Sequence, residues 1–224
     1  MDNKSLNYMH AAGLESALDT NKVLKNTYML LGMTLLFSAL TAGLSMAMGL
    51  GRGTALVLML VGFGLLFVVN KTADSSKGLL AIFAFTGVMG ASIGPMLNHY
   101  LSLPNGPQLV MQALGGTALV FFGLSAYALT TRKDFSYMGG FLMVGLLVAV
   151  VAMIANIFLN IPALSLTISA AVVMIMSALI LFDTSRIVNG GETNYIRATV
   201  SLYLSIYNLF IHLLSLLGAF GGDD

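Results

Sequence analysis

The chain has 224 residues, of which 58% are hydrophobic and only 8% are charged, and its formal net charge is +1. A soluble domain needs a charged surface, typically about 25% of its residues, so this composition excludes a soluble enzyme. The small net charge also provides no basic surface that could bind nucleic acid. Because the sequence contains no cysteine, disulfides, thiol nucleophiles and thiolate metal sites are excluded too.

Seven apolar runs are each long enough to cross about 30 Å of hydrocarbon as an α-helix. In chain order they cover residues 27–49, 54–70, 78–97, 108–130, 135–158, 162–182 and 198–218. Short connections separate them, which makes successive helices antiparallel neighbours. We therefore predict an all-α membrane protein with a polar, disordered tail over residues 1–25, seven transmembrane helices within 26–219, and a short tail over 220–224. Pro95 is expected to kink or end the third helix.

Basic residues indicate which way a chain crosses the membrane, because they collect on the cytoplasmic side. With the N-terminus inside, Arg52 alone among the ten basic residues falls outside. The others are Lys4, Lys22, Lys25, Lys71, Lys77, Arg132, Lys133, Arg186 and Arg197. The sequence therefore predicts a cytoplasmic N-terminus and, with seven spans, a C-terminus on the outer, periplasmic side.

Glycine is frequent in the predicted spans, and its spacing is typical of closely packed membrane helices. Gly90 and Gly94 form a G-x-x-x-G pair in the third run. Other close sets are Gly115, Gly116 and Gly123 in the fourth run and Gly139, Gly140 and Gly145 near the start of the fifth. The pattern fits either a homodimer interface or tight packing within one bundle.

The seventh run carries polar residues at intervals of three or four, a spacing that places them on one face of a helix. They are Arg197, Ser201, Ser205, Asn208, His212 and Ser215. Lipid cannot solvate such a stripe, so the last helix is predicted to be central, with the others around it. The stripe is either a hydrogen-bonded seam between helices or a hydrated pathway for a cation or proton.

Asp183 ends the sixth apolar run, where a carboxylate is costly unless it is paired, hydrated or protonated. One interpretation makes it a pH-sensitive gate that contacts Ca²⁺ or protons. The alternative is a structural ion pair with Arg186 or Arg197. His212 is either a titrating group or a hydrogen-bonded packing residue.

No catalytic or cofactor-binding motif is present, so the sequence predicts neither an enzyme nor a cofactor.

Several segments resemble one family of membrane proteins. They are FDTS at 182–185, GGETNYIRAT at 190–199, SLYLSIYNLF at 201–210 and, upstream, FAFTG at 83–87, ALGGTA at 113–118 and TTRKD at 130–134. On these segments the chain resembles the transmembrane Bax inhibitor motif family, and within it the bacterial inner-membrane members. The resemblance implies seven helices with the last one central, in agreement with the polar stripe, and a place in the bacterial inner membrane.

The family resemblance implies two roles. Bacterial members act as partners, substrates and modulators of FtsH, the membrane-anchored ATP-dependent protease. Other members behave as pH-sensitive calcium leak channels, in which an Asp at the end of the sixth helix pairs with an Asp in the seventh. Asp183 matches the first position, whereas Ser205 occupies the second and could offer only a hydrogen bond. Those channels also carry a basic residue at the inner end of the second helix, and the matching position in this sequence is Asn70 or Lys71.

The main prediction is therefore an inner-membrane protein that modulates FtsH and is also its substrate, with the polar tail as the handle for the protease. The alternative is a pH-sensitive leak channel for Ca²⁺ or another cation. Its candidate site comprises Asp183, Ser205, Asn208 and His212, with Arg186, Arg197 and Lys71 as candidate ion-pair partners. The missing second carboxylate weakens the channel hypothesis, and the long tail favours the protease hypothesis.

Overall fold

The computed structural model describes the backbone of residues 3–221 and the side chains of residues 20–221. This part of the chain forms seven long α-helices and one short 3₁₀-helix, and it contains no strand. The helices are α1 (Asn3–Ala47), α2 (Arg52–Thr72), α3 (Lys77–Leu101), α4 (Gly106–Thr131), α5 (Gly139–Leu159), α6 (Pro162–Val188) and α7 (Tyr195–Phe220), with the 3₁₀-helix (Ser136–Met138) before α5.

All seven helices are long and apolar enough to cross a membrane, and the span within α1 is Thr20–Ala47. The prediction of seven transmembrane helices is therefore confirmed. Because successive helices alternate in direction, the bundle has two distinct ends. We call the end that contains Asp183 and the α6–α7 loop the Asp183 end, and the opposite end, where α2 begins, the Arg52 end.

Three helix ends differ from the prediction. The backbone of α1 is helical from Asn3, where the sequence predicts a disordered tail. α3 continues through Pro95 to Leu101, because packed membrane helices tolerate the loss of one backbone hydrogen bond at a proline. α6 continues to Val188, so Asp183 lies more than one turn inside that helix. The ends of the predicted tails, residues 1–2 and 222–224, lie outside the described residues.

α7 is the central helix of the bundle, as its polar stripe predicts. It packs against α1, α2, α3, α4 and α6, whereas α5 packs only against α6 and the 3₁₀-helix within the described residues. Side chains on several sides of α7 are fully buried, among them Leu202, Tyr203, Leu209 and Leu214. α2 and α5 lie at the periphery, where exposed apolar side chains form the lipid-facing surface.

The G-x-x-x-G pair of α3 packs against α1 rather than against a second copy of the chain. A Cβ atom on Gly90 would overlap the Ser38 carbonyl oxygen, and one on Gly94 would overlap the Ser45 side chain. For this pair, tight packing within one bundle is the correct interpretation. A Cβ atom on Gly115 or Gly123 would have no neighbouring atom within 4 Å, so a homodimer interface stays an untested hypothesis there.

We expect Gly90→Ala to lower the free energy of unfolding by about 1–3 kcal/mol, the range for an overpacked contact. Gly115→Ala is the matched control, because the new methyl group would enter open space and alanine favours a helix over glycine. Thermal unfolding of the two variants in detergent, followed by circular dichroism, checks this. Equal stability of both variants would contradict the packing of α3 on α1.

Candidate functional site around Asp183

Asp183 is buried between α6 and α7, with 6% of its surface exposed. The Ser201 hydroxyl donates a hydrogen bond to its Oδ2 atom at 2.6 Å. Both residues lie near the Asp183 end of their helices. A buried carboxylate needs such a donor, because an unpaired charge at this depth is strongly disfavoured. The sequence resemblance places the partner at Ser205, whereas the structure places it one turn earlier, at Ser201.

The four consecutive residues at 182–185 direct their side chains at different neighbours, because successive residues of an α-helix project about 100° apart. Asp183 faces α7. The Thr184 hydroxyl lies 3.5 Å from the Tyr28 hydroxyl of α1 and 3.4 Å from the Ser125 hydroxyl of α4. This turn of α6 therefore connects three other helices through polar contacts.

The next residue of this turn, Ser185, fixes the loop between α4 and α5. Its hydroxyl donates to the Lys133 carbonyl oxygen at 2.8 Å and accepts from the Phe135 N–H at 3.0 Å. In the same loop, hydrogen bonds from the hydroxyl and the N–H of Ser136 lower the pKa of Asp134. The loop is thus held against α6, with Asp134 charged at neutral pH.

A cavity of about 310 Å³ opens beside Asp183, between α2, α6 and α7. Its polar lining consists of Asn70, Asp183, Arg186, Glu192, Arg197 and Ser201, and its apolar lining includes Leu66 and Leu204. The carboxylates, the amide and the hydroxyl could supply oxygen ligands of the kind that Ca²⁺ takes. Two guanidinium groups in the same cavity balance the two carboxylates, so the cavity suits transient contact with a cation better than tight binding.

The basic residues of the cavity pair with acidic groups other than Asp183. Arg186 lies 3.8 Å from Glu192 and donates to the Gly191 carbonyl oxygen at 3.1 Å. Arg197 forms an ion pair with Asp74, in the connection between α2 and α3. The predicted ion pairs of Asp183 with Arg186 or Arg197 are therefore not formed. Asp183 is thus buried beside a hydroxyl donor, and the charge of Arg186 acts on it from beyond ion-pair distance.

Asn194 strengthens the contact between the start of α7 and the α2–α3 connection. As the N-cap of α7, its side chain accepts hydrogen bonds from the Ile196 and Arg197 N–H groups. It also donates to the Ala73 carbonyl oxygen at 3.0 Å and to the Asp74 carboxylate at 2.8 Å. The motif around residue 194 thus locks α7 in place at the Asp183 end.

The other predicted site residues do not join Asp183. Ser205 is buried, with 3% exposed, and Asn208 donates to the Leu204 carbonyl oxygen of its own helix at 2.8 Å. His212 forms a 3.1 Å hydrogen bond with Ser169 of α6, as expected for a packing residue. Lys71 is exposed and Asn70 lines the cavity instead. The structure therefore brings together Asp183, Ser201 and the charged lining of the cavity.

A second polar cluster, on another face of α7, was not found from the sequence. The Tyr203 hydroxyl lies 2.7 Å from the Ser38 hydroxyl of α1, and the Tyr207 hydroxyl lies 2.9 Å from the Ser92 hydroxyl of α3. The two tyrosine rings stack with their centroids 6.0 Å apart. Two tyrosines four residues apart inside an apolar run are the signal that could have revealed this cluster.

Comparison with known proteins identifies the family of this chain. The model of the family described as "Inhibitor of apoptosis-promoting Bax1" matches residues 20–222. The chain belongs to this family. Among members of the Bax1 inhibitor family, the Escherichia coli K12 protein named "Modulator of FtsH protease YccA" is 57% identical over 204 residues, 91% of this chain and 92% of its own length.

Two other relatives also match this chain over nearly the full length of both proteins. An uncharacterized membrane protein of Vibrio cholerae is 52% identical over 218 residues, 97% of this chain and 98% of its own length. An uncharacterized protein of Pseudomonas aeruginosa is 50% identical over 206 residues, 92% of this chain and 93% of its own length. The membrane location and the family membership predicted from the sequence are confirmed.

Double-mutant analysis should show that Asp183 is coupled to Ser201 and not to Ser205. For Asp183→Asn with Ser201→Ala we expect a coupling free energy of about 0.6 kcal/mol and at most about 1.7 kcal/mol, the average and the maximum for hydrogen bonds between membrane helices. Asp183→Asn with Ser205→Ala is the matched control and should be additive. Unfolding free energies in detergent measure both cycles. Coupling to Ser205 alone would favour the partner that the family resemblance indicates.

Proposed function

We propose that this chain is an inner-membrane protein that modulates the membrane ATP-dependent protease FtsH and is also a substrate of it. The observation that carries the proposal is the high identity, over almost the full length of both chains, to the E. coli modulator of FtsH. An N-terminus in the cytoplasm, as the distribution of basic residues predicts, would put the start of α1 on the same side as a cytoplasmic protease ring.

The N-terminal part of α1 supports this role. The helix begins at Asn3, whereas the apolar run of the first span begins at Thr27. A straight helix over the roughly 24 residues before that run would extend about 36 Å. When unwound, the same residues would reach about twice as far. A polar segment of this length is suited to engagement by a protease that pulls on its substrate from one end.

The packing of the bundle explains how a substrate could also slow the protease. α1 contacts α3, α6 and α7, so pulling on α1 would disrupt the central helix. Three hydrogen bonds join α1 to α6 and α7, between Ser38 and Tyr203, between Thr199 and the Thr27 carbonyl oxygen, and between Tyr28 and Thr184. A protease that engages α1 must break these contacts before it can extract the next helix. Slow extraction would occupy the protease and reduce its action on other substrates.

Deletion of residues 2–20 should abolish FtsH-dependent turnover, because the protease would lose its handle while the span stays complete. Pulse-chase measurements in cells with and without active FtsH check this, and a strain that lacks FtsH shows whether the truncated protein inserts stably. Deletion of residues 222–224 is the control and should leave turnover unchanged. Turnover of the N-terminal deletion at the wild-type rate would refute the role of this segment.

A second candidate function is a pH-sensitive cation leak through the cavity beside Asp183. The observation that favours it is the burial of a carboxylate against a polar cavity that also contains Arg186, Glu192 and Arg197. Conduction would be favoured when the Asp183 carboxylate is charged, because a cation would then have an anionic ligand inside the bundle. The two functions are compatible, since the cavity and the N-terminal part of α1 are separate features.

Calcium flux into proteoliposomes tests this second function at pH 6 and pH 8. Flux should be larger at pH 8 and should fall to the level of empty vesicles in Asp183→Asn. Asp134→Asn is the matched control, because it removes an exposed carboxylate at the same end that does not line the cavity. Wild-type protein that conducts no more than empty vesicles would leave Asp183 with a structural role alone.

A further inference from the structure

A second cavity, of about 500 Å³, lies at the Arg52 end between α2, α3 and α7. Its polar lining is concentrated at the outer edge, where Arg52 begins α2 and His99 lies near the end of α3. Deeper in the bundle the lining is mainly apolar. The cavity thus has a cationic mouth at the level of the membrane surface and a hydrophobic interior at the level of the hydrocarbon.

The cavity opens sideways into the bilayer. On its α2 wall, Leu56 and Met59 are 64% and 43% exposed, whereas Ile93 on the α3 side is buried. From Arg52 to Met59 the α2 wall extends seven residues, or roughly 10 Å along the helix axis. These dimensions fit the first part of an acyl chain that enters beside a headgroup bound at Arg52.

Among the described residues, Arg52 is the one side chain at this end with a fixed charge. The described acidic side chains are Asp74, Asp134, Asp183 and Glu192, and all four belong to the Asp183 end. Arg52 therefore has no carboxylate partner among the described residues. A guanidinium group binds phosphate through two parallel hydrogen bonds, and the His99 ring offers a further N–H donor at the same mouth.

We propose that this cavity is a binding site for one anionic phospholipid of the phosphatidylglycerol type. The phosphate contacts Arg52 and His99, and one acyl chain lies against Leu56, Met59 and Ile93. The Arg52 guanidinium at the mouth favours a headgroup with a negative net charge over a zwitterionic one. Because Tyr207 of the central helix also lines this cavity, the bound lipid contacts the element on which the whole bundle packs.

Native mass spectrometry of the full chain in detergent tests the proposal, with phosphatidylglycerol and phosphatidylcholine of identical acyl chains as probes. Wild-type protein should bind one phosphatidylglycerol about ten times more tightly than phosphatidylcholine. Arg52→Gln should remove this preference, a loss of about 1.4 kcal/mol. Lys71→Gln is the matched control, since it removes the same charge from the other end of α2 and should keep the preference.

Two further measurements separate a lipid site from a simple anion site. Met59→Trp fills the apolar wall without changing the charge, and it should weaken the binding of both lipids. Inorganic phosphate at millimolar concentration should fail to displace phosphatidylglycerol, because it lacks an acyl chain. The proposal would be overturned if Arg52→Gln kept the preference for phosphatidylglycerol, or if Lys71→Gln lost that preference equally. Full displacement of phosphatidylglycerol by inorganic phosphate would overturn it too. Circular dichroism verifies that every variant is folded.

Discussion

The arrangement of the bundle depends on one constraint: the polar side chains of α7 must find hydrogen-bond partners inside the membrane. A polar group without a partner in hydrocarbon costs several kcal/mol, and α7 has such groups on more than one face. α6 supplies Asp183 for Ser201 and Ser169 for His212. Tyr203 and Tyr207 find hydroxyl partners on α1 and α3. Each partner fixes the position of one neighbouring helix, so the bundle is organised around α7, and α5, which α7 does not contact, is left at the edge.

The two ends of the bundle use these interactions differently. At the Asp183 end, Ser185, Asn194 and Arg197 connect loops that are distant in the sequence. This end is therefore polar and closely tied together. At the Arg52 end, one basic residue stands beside an apolar cavity that opens to the bilayer.

The sequence was sufficient for the seven helices and for the central place of α7, because length, hydropathy and a polar stripe are local properties of the chain. The pairing of Asp183 was not predictable in the same way. Ser201 and Ser205 lie on the same face of α7, one turn apart, and which of them meets Asp183 depends on the relative shift of α6 and α7. The spacing of residues along the chain does not determine that shift. Likewise, only the structure shows that Gly90 packs on Ser38.

The contact of Asp183 with a hydroxyl group rather than with a second carboxylate bears on the choice between the two functions. Two carboxylates that share a proton titrate as a coupled pair, and their repulsion after ionisation can open a gate. Asp183 has no second carboxylate in direct contact, and the Ser201 hydroxyl donor stabilises its charged form. Ionisation of Asp183 would therefore strengthen the contact between α6 and α7. This property suits a bundle that resists extraction from the membrane better than one that opens on demand, and it favours the role of protease modulator.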